Sequence, residues 1–296
     1  MILFIFEGAS YEPSLYEGIK KLFFPRSNDQ IICSFCSSIY TFYKRLKDDY
    51  DGFEDVVDVL KTELVKTDPG NELLCYKSAD IDSVYLFFDY DFYRGDLSVK
   101  NGQVQELLEY FNEETENGRL FISYPMVESI QYTKQLPDPD FPKYKVKRVD
   151  SIGEKFKKEV RKFCYYQGYA YLKSALNWKY IVCQHVFKAN SLVKDSLSWP
   201  ETKEDVDQKM IFEAQLKKHI IPYDEVAILN AFPLFLYYYS LLKNLISENR
   251  FVHGHKMCLF SHGIVVYNVI VINIKIKSCR FICFFKKRLS LCRIII

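Results

Sequence analysis

Ile2-Leu3-Phe4-Ile5-Phe6-Glu7-Gly8 and Val84-Tyr85-Leu86-Phe87-Phe88-Asp89-Tyr90-Asp91 decide how this chain reads. Each is a short, unbroken apolar run that stops on acid, as buried strands of a parallel sheet do. Acids at the carboxyl ends of neighbouring strands converge at the sheet edge, where open α/β folds bind their ligands. Three carboxylates gathered there repel one another unless a divalent cation lies between them, and hard cations favour oxygen ligands. The two stretches therefore point to magnesium-dependent chemistry on phosphate.

Working outward, Leu15, Ile19, Leu22 and Phe23 recur at helical spacing across 10–23, with Ser10 placed to cap and Pro13 in the tolerant first turn. Ile31-Ile32-Cys33-Ser34-Phe35 reads as a second strand. Helices are expected near 38–48 and 53–66, then a turn at Asp68-Pro69-Gly70-Asn71, a third strand at 83–88, a helix over 102–113 and a fourth strand at 120–124. This alternation implies an α/β fold over residues 1–135, a mainly parallel sheet flanked by helices. Leu136-Pro137-Asp138-Pro139-Asp140-Phe141-Pro142 cannot continue a helix, so 136–150 is expected to be a linker or loop. Residues 151–248 then read as an α-helical region, with segments near 153–164, 170–190, 205–219 and 227–246. Residues 249–296 form an atypical basic, apolar tail without a single acid. The expectation there is a frameshifted or read-through end joined to a domain that closes near 248. Lesser alternatives are a zinc site at His253, His255, Cys258 and His262, and a membrane anchor at 257–273, a run near the lower length limit for a span.

The net charge of +2 hides a division: residues 1–142 hold 13 Lys+Arg against 26 Asp+Glu, while residues 143–296 hold 27 against 12. A metal would offset the first half and the second would attract a polyanion. Nucleic acid is the partner this favours; a solvated or self-paired basic face is the plainer alternative. Nine cysteines form no regular framework, and Met1 enters the first strand with no basic leader, so reduced thiols and a cytoplasmic location are expected. Cys33-x-x-Cys36 lacks a second pair at zinc-ribbon spacing and reads as buried or incidental. The apolar segments of the helical region are too short or too interrupted for membrane spans. No glycine-rich phosphate loop is present, which argues against direct use of ATP.

A strand ending in Glu7-Gly8, followed by a strand ending in Asp89-x-Asp91, resembles the TOPRIM domain, the fold shared by topoisomerases, bacterial primases and OLD-type nucleases. The resemblance covers residues 1–135. It implies that Glu7 is the catalytic acid/base or a metal ligand, that Asp89 and Asp91 hold Mg2+ (or Mn2+), and that Gly8 lets the turn pass close to metal and phosphate. The nuclease branch often reads Glu-Gly-x-Ser-Asp-Glu; here Glu7-Gly8-Ala9-Ser10-Tyr11-Glu12 puts tyrosine where an acid would help form a second metal site. Glu12 is an imperfect substitute, turned about 100° further round a helix, and Glu128 beyond the fourth strand could complete the set. The absence of topoisomerase and primase partner domains favours the small antiphage nuclease branch, with a possible partner ATPase.

The expected chemistry is metal-dependent hydrolysis of a phosphodiester in DNA or RNA. Lys143, Lys145, Lys147 and Arg148, then Lys155, Lys157, Lys158, Arg161 and Lys162, are candidates for gripping the backbone. Rivals are a degenerate TOPRIM binding module, which Tyr11 favours, and a HAD-like phosphatase using Asp89 as nucleophile. The phosphatase motif normally opens its domain, and Phe92 stands where threonine or valine is expected. A metal-binding nucleotide-sugar transferase is weaker still.

Overall fold

Burial on both faces is what the apolar runs require, and the sheet provides it. The computed structural model describes residues 1–47, 53–91, 95–166 and 168–239, together with the backbone of 255–260 and 263–268. Strand β1 (Ile2–Phe6) leads through helix α1 (Tyr11–Phe23) to β2 (Gln30–Ser34). Helices α2 (Ile39–Lys47) and α3 (Val56–Thr67) then lead back to β3 (Ser83–Asp89) on the other side of β1. Helix α4 (Leu97–Tyr110) and a two-residue antiparallel edge strand β4 (Asn112–Glu113) bring in β5 (Gly118–Ser123), fully buried along its length. The strand order is β2-β1-β3-β5-β4, parallel except for β4. The direction of winding reverses between β1 and β3, the position whose carboxyl-end crevice binds ligands in open α/β sheets.

Aromatic side chains dominate one face of this sheet. Phe4 pairs in register with Tyr85, Phe6 with Phe87, and Phe87 with Phe121. The Phe6–Phe87 and Phe87–Phe121 ring centroids lie 5.2 and 5.7 Å apart. Cross-strand aromatic pairs of this kind stabilise a sheet beyond the area they bury. On the other face Phe88 stacks on Phe42 of α2 at 4.8 Å.

The helical region supplies the missing cover. Residues 136–150 carry a short strand β6 (Lys145–Lys147) between single 3-10 turns. Helices α5 (Gly153–Phe163) and α6 (Ala175–Lys194) follow. Helix α7 (Gln208–Gln215) runs through a π-helical turn (Leu216–Ile220) into the short α8 (Ile221–Tyr223). Strand β7 (Glu225–Ala227) pairs antiparallel with β6, and α9 (Ala231–Tyr238) lays Phe232 and Phe235 on the aromatic face, 4.9 and 5.3 Å from Phe87. The Gln208 side chain accepts from the Ile122 amide at 3.1 Å, satisfying a buried backbone donor.

Two sequence boundaries shift for local reasons. The helix expected at 102–113 runs Leu97–Tyr110, because Asp96 caps it by accepting from the Ser98 amide at 2.8 Å. The apolar stretch 227–246, expected to be one helix, opens on a strand residue of β7 and becomes helical only after Asn230, whose side chain accepts from the Phe232 amide. In the tail, β8 (His255–Phe260) and β9 (Gly263–Asn268) form an antiparallel pair. His253, His262 and residues 240–248 and 269–276 lie outside the described residues. Among the described residues no helix is long and apolar enough to cross a membrane.

Phe87 touches rings from β1, β5 and α9 at once, so Phe87→Ala is expected to cost about 3–5 kcal/mol in urea denaturation. Val99→Ala, at a side chain 60% exposed, is expected to stay within about 0.5 kcal/mol.

Candidate functional site

The two acidic strand ends meet. The Glu7 amide extends the β1–β3 ladder by donating to the Phe87 carbonyl at 3.0 Å, and its carboxylate returns the contact by accepting from the Asp89 amide at 2.9 Å. Glu7 thus spans the crevice between β1 and β3. The turn that follows β3 is pinned on several sides. Tyr90 N–H donates to the Ser123 carbonyl at 3.0 Å and Asp91 N–H to the Pro125 carbonyl at 3.2 Å. The Tyr40 hydroxyl donates to the Tyr90 carbonyl, and the Tyr90 hydroxyl to Asn101. Asp91 sits in the left-handed region, at φ 46°, where aspartate is one of the few side chains tolerated.

Glu12, from the first turn of α1, and Glu128, from the 3-10 turn Val127–Gln131 after β5, complete the cluster. Glu12 is buried at 7% exposure and accepts from the Gly8 amide at 3.2 Å. The extra residue that displaces it from the motif position does not carry it out of the site. Gly8 makes this approach possible: a Cβ there would lie 2.4 Å from a Glu12 carboxylate oxygen. Glu128 is held by Lys157 of α5 at 3.2 Å. Tyr11, where an acid would stand in the nuclease motif, points its hydroxyl at Gln131 and accepts a hydrogen bond from it at 2.9 Å.

The charges are poorly compensated. Burial raises the Glu7 carboxyl from 4.5 to about 8; the Asp89 amide opposes the rise, while Asp91 and Glu12 add to it. Asp89 is pushed well above the usual carboxylate range, first by desolvation and then by Glu7, Glu12, Asp91 and Glu128. Glu12 is raised by burial and by Glu128, against the opposing pull of its own and the Gly8 amides and of Lys157. The charges that act most on Glu7 and Asp89 are therefore other carboxylates. Such a set carries protons near neutrality or gathers round a hard cation. The cage is not ready-made: among the described residues no three His, Cys, Asp or Glu side chains already stand as a metal-holding group. Glu7, Asp89, Asp91, Glu12 and Glu128 are the residues that could be drawn into one.

The basic candidates fare unequally. Lys143 is paired with Asp140 at 2.7 Å, Lys145 with Glu225 at 2.9 Å and Lys155 with Asp150 at 2.7 Å. Arg148 donates to the Gly95 carbonyl at 2.7 Å. Each of these four thus has a partner within the chain. Lys147 lies exposed on β6, while Lys158 and Arg161 lie exposed on α5, the helix that reaches the acids through Lys157. Lys157 borders the buried face formed by Phe156 and Val160, and that position, visible in the helical spacing, is what directs it inward. Tyr40 and Gln131 also shape the site, with no signal in the sequence beyond their polarity. Cys33 is buried, its thiol pushed up to about 12, and Cys36 is exposed, so the Cys-x-x-Cys pair is not a poised dithiol.

No family model matches the chain, and neither the curated proteins nor the solved structures contain a match to it.

A carboxyl raised on folding favours the native state most at low pH, below its unfolded value near 4.5, and that contribution is lost as pH climbs through about 8. In metal-free buffer the urea midpoint of the wild type is expected to fall relative to Glu7→Gln between those pH values. Parallel pH profiles for the two proteins would remove Glu7 from the set of perturbed acids. Gly8→Ala is expected to displace the Glu12 carboxylate with little loss of fold, read as a changed pH profile beside a thermal midpoint within a few degrees of wild type.

Proposed function

We propose that this chain is a divalent-metal-dependent phosphodiester hydrolase acting on nucleic acid, of TOPRIM type. The observation that carries the reading is the convergence of Glu7 with Asp89 and Asp91 at the reversal of the sheet, beside Glu12 and Glu128 and with little positive charge among them. An all-carboxylate donor set suits magnesium or manganese, and metal binding displaces the protons that burial keeps on these acids. When bound, such an ion supplies charge neutralisation at the scissile phosphate and at the leaving oxygen. Asp89 and Asp91 are the residues that would hold it, with Glu12 and Glu128 as further acids of the set. Glu7, anchored by the Asp89 amide, orients the attacking water and takes its proton. Lys157 sets the position of Glu128 and brings α5 to the rim of the crevice.

A second reading, a binding module without catalysis, draws on Tyr11 in the acid's place and on the open arrangement of the carboxylates. The two separate in one experiment on the full chain. Cleavage of labelled DNA and RNA in Mg2+ or Mn2+ is expected for the wild type, and a loss of roughly a hundredfold or more in both Glu7→Ala and Asp89→Asn. Calorimetry is expected to show metal affinity rising with pH from about 5 to about 8, because ligand protons must leave. Metal bound by neither wild type nor Asp89→Asn favours the binding module. Metal binding with hydrolysis of a simple phosphomonoester and no cleavage of nucleic acid favours the phosphatase.

A further inference from the structure

A run of tyrosines leads away from the acid cluster. The ring of Tyr11, the residue before Glu12, lies 5.3 Å from that of Tyr169. Two residues further along the chain stands Tyr171. Tyr171 stacks on Tyr166 at 4.7 Å with 19° between the planes, and Tyr166 meets Tyr165 edge-on at 5.6 Å. The inner members are fixed. Tyr171 is 7% exposed, the Tyr166 hydroxyl accepts from the Leu136 amide, and the Tyr11 hydroxyl accepts from Gln131. The outer two are open, with Tyr169 at 51% and Tyr165 at 77% exposure.

Tyr165 lies two residues beyond the end of α5, the helix that carries Lys158 and Arg161. Both cations are exposed, and neither has a carboxylate partner among the described residues. A double helix keeps its bases stacked inside and offers a surface its phosphates, whereas an unpaired strand also offers base faces. Aromatic rings alternating with basic side chains are what holds such a strand, because every base has a face to stack. Rings that already rest against another ring, Tyr169 on Tyr11 and Tyr165 on Tyr166, lose little freedom when a base covers them.

We infer that the nucleic acid led to the acid cluster is single-stranded, with its bases stacked on Tyr169 and Tyr165 and its phosphates running past Arg161 and Lys158. This rests on the hydrolase reading for the strand's destination, but binding and cleavage can be measured apart. The test is fluorescence anisotropy of the full chain in metal-free buffer. The probes are a labelled oligothymidine and an oligouridine of about twenty nucleotides and a blunt duplex of the same length.

Both single strands are expected to bind at least roughly tenfold more tightly than the duplex. The double variant Tyr165→Ala/Tyr169→Ala is expected to weaken strand binding by roughly ten- to a hundredfold. Duplex binding and the thermal midpoint should stay near wild type, and Tyr165→Phe/Tyr169→Phe should restore strand binding. Arg161→Ala should lower the salt dependence of strand binding by about one counterion. Should the double alanine variant melt early, Tyr165→Ala alone, at the most exposed ring, decides the matter. Duplex bound as tightly as single strand, no binding of either strand, or alanine variants that bind like wild type each overturn the inference. Cleavage in Mg2+ or Mn2+ keeps the outcomes distinct: strands bound but never cleaved by wild type end the hydrolase reading and leave this one standing.

Discussion

The hydrogen bond from the Asp89 amide to the Glu7 carboxylate is the contact on which the site depends. It ties the ends of two parallel strands together on the far side of their regular ladder. It also holds one acid where a second and a third must face it. Burial and mutual repulsion then raise the Glu7, Glu12 and Asp89 carboxyls, which would otherwise be ionised. Folding alone has reason to avoid such an arrangement, since replacing one acid by its amide would relieve it. Strain of this kind at the mouth of a crevice is what a ligand of opposite charge can relieve.

The remainder of the fold keeps that crevice in shape. The aromatic ladder of β1, β3 and β5 is closed from outside by α9, so the helix that comes last among the main elements packs on the strands that come first. The segment leading into α9 also fixes the loop that carries Glu128. The Ser129 hydroxyl donates to the Leu229 carbonyl at 2.8 Å, the Asn230 amide side chain to the Val127 carbonyl at 2.9 Å, and Tyr124 bridges Leu229. The helical region is thus structural cover and site wall together.

Much of the sheet is legible in sequence because β1, β3 and β5 are buried along nearly their whole length, and continuous burial writes itself as continuous apolarity. The acids that end β1 and β3 are legible for the same reason, since they interrupt those runs. What escapes is information carried across long separations. Lys145 finds Glu225 eighty residues away, which no local pattern announces, and so a residue that looks unpartnered in the sequence has a carboxylate beside it. The three-residue β7 is too short for any period to show. The inward reach of Glu12 depends on a glycine four residues earlier, a relation of space that helix geometry alone argues against.

The division of charge along the chain looks different once the pairs are known. Part of the basic half is spent within itself, as in Lys155 with Asp150, Lys194 with Asp205 and Lys218 with Asp195. Part joins the acidic half, as in Lys157 with Glu128 and Lys209 with Glu109. Exposed pairs of this kind contribute little to stability, so their effect is chiefly to remove charge from the field around the molecule. The cations left open on α5 therefore count for more than the overall sum suggests, because the same helix reaches the acid cluster through Lys157. On the hydrolase reading, a polyanion drawn to that helix would arrive at carboxylates that repel it, and an intervening cation would make the two surfaces compatible. On that reading, attraction by the helix and occupancy of the crevice by metal would be parts of a single electrostatic condition.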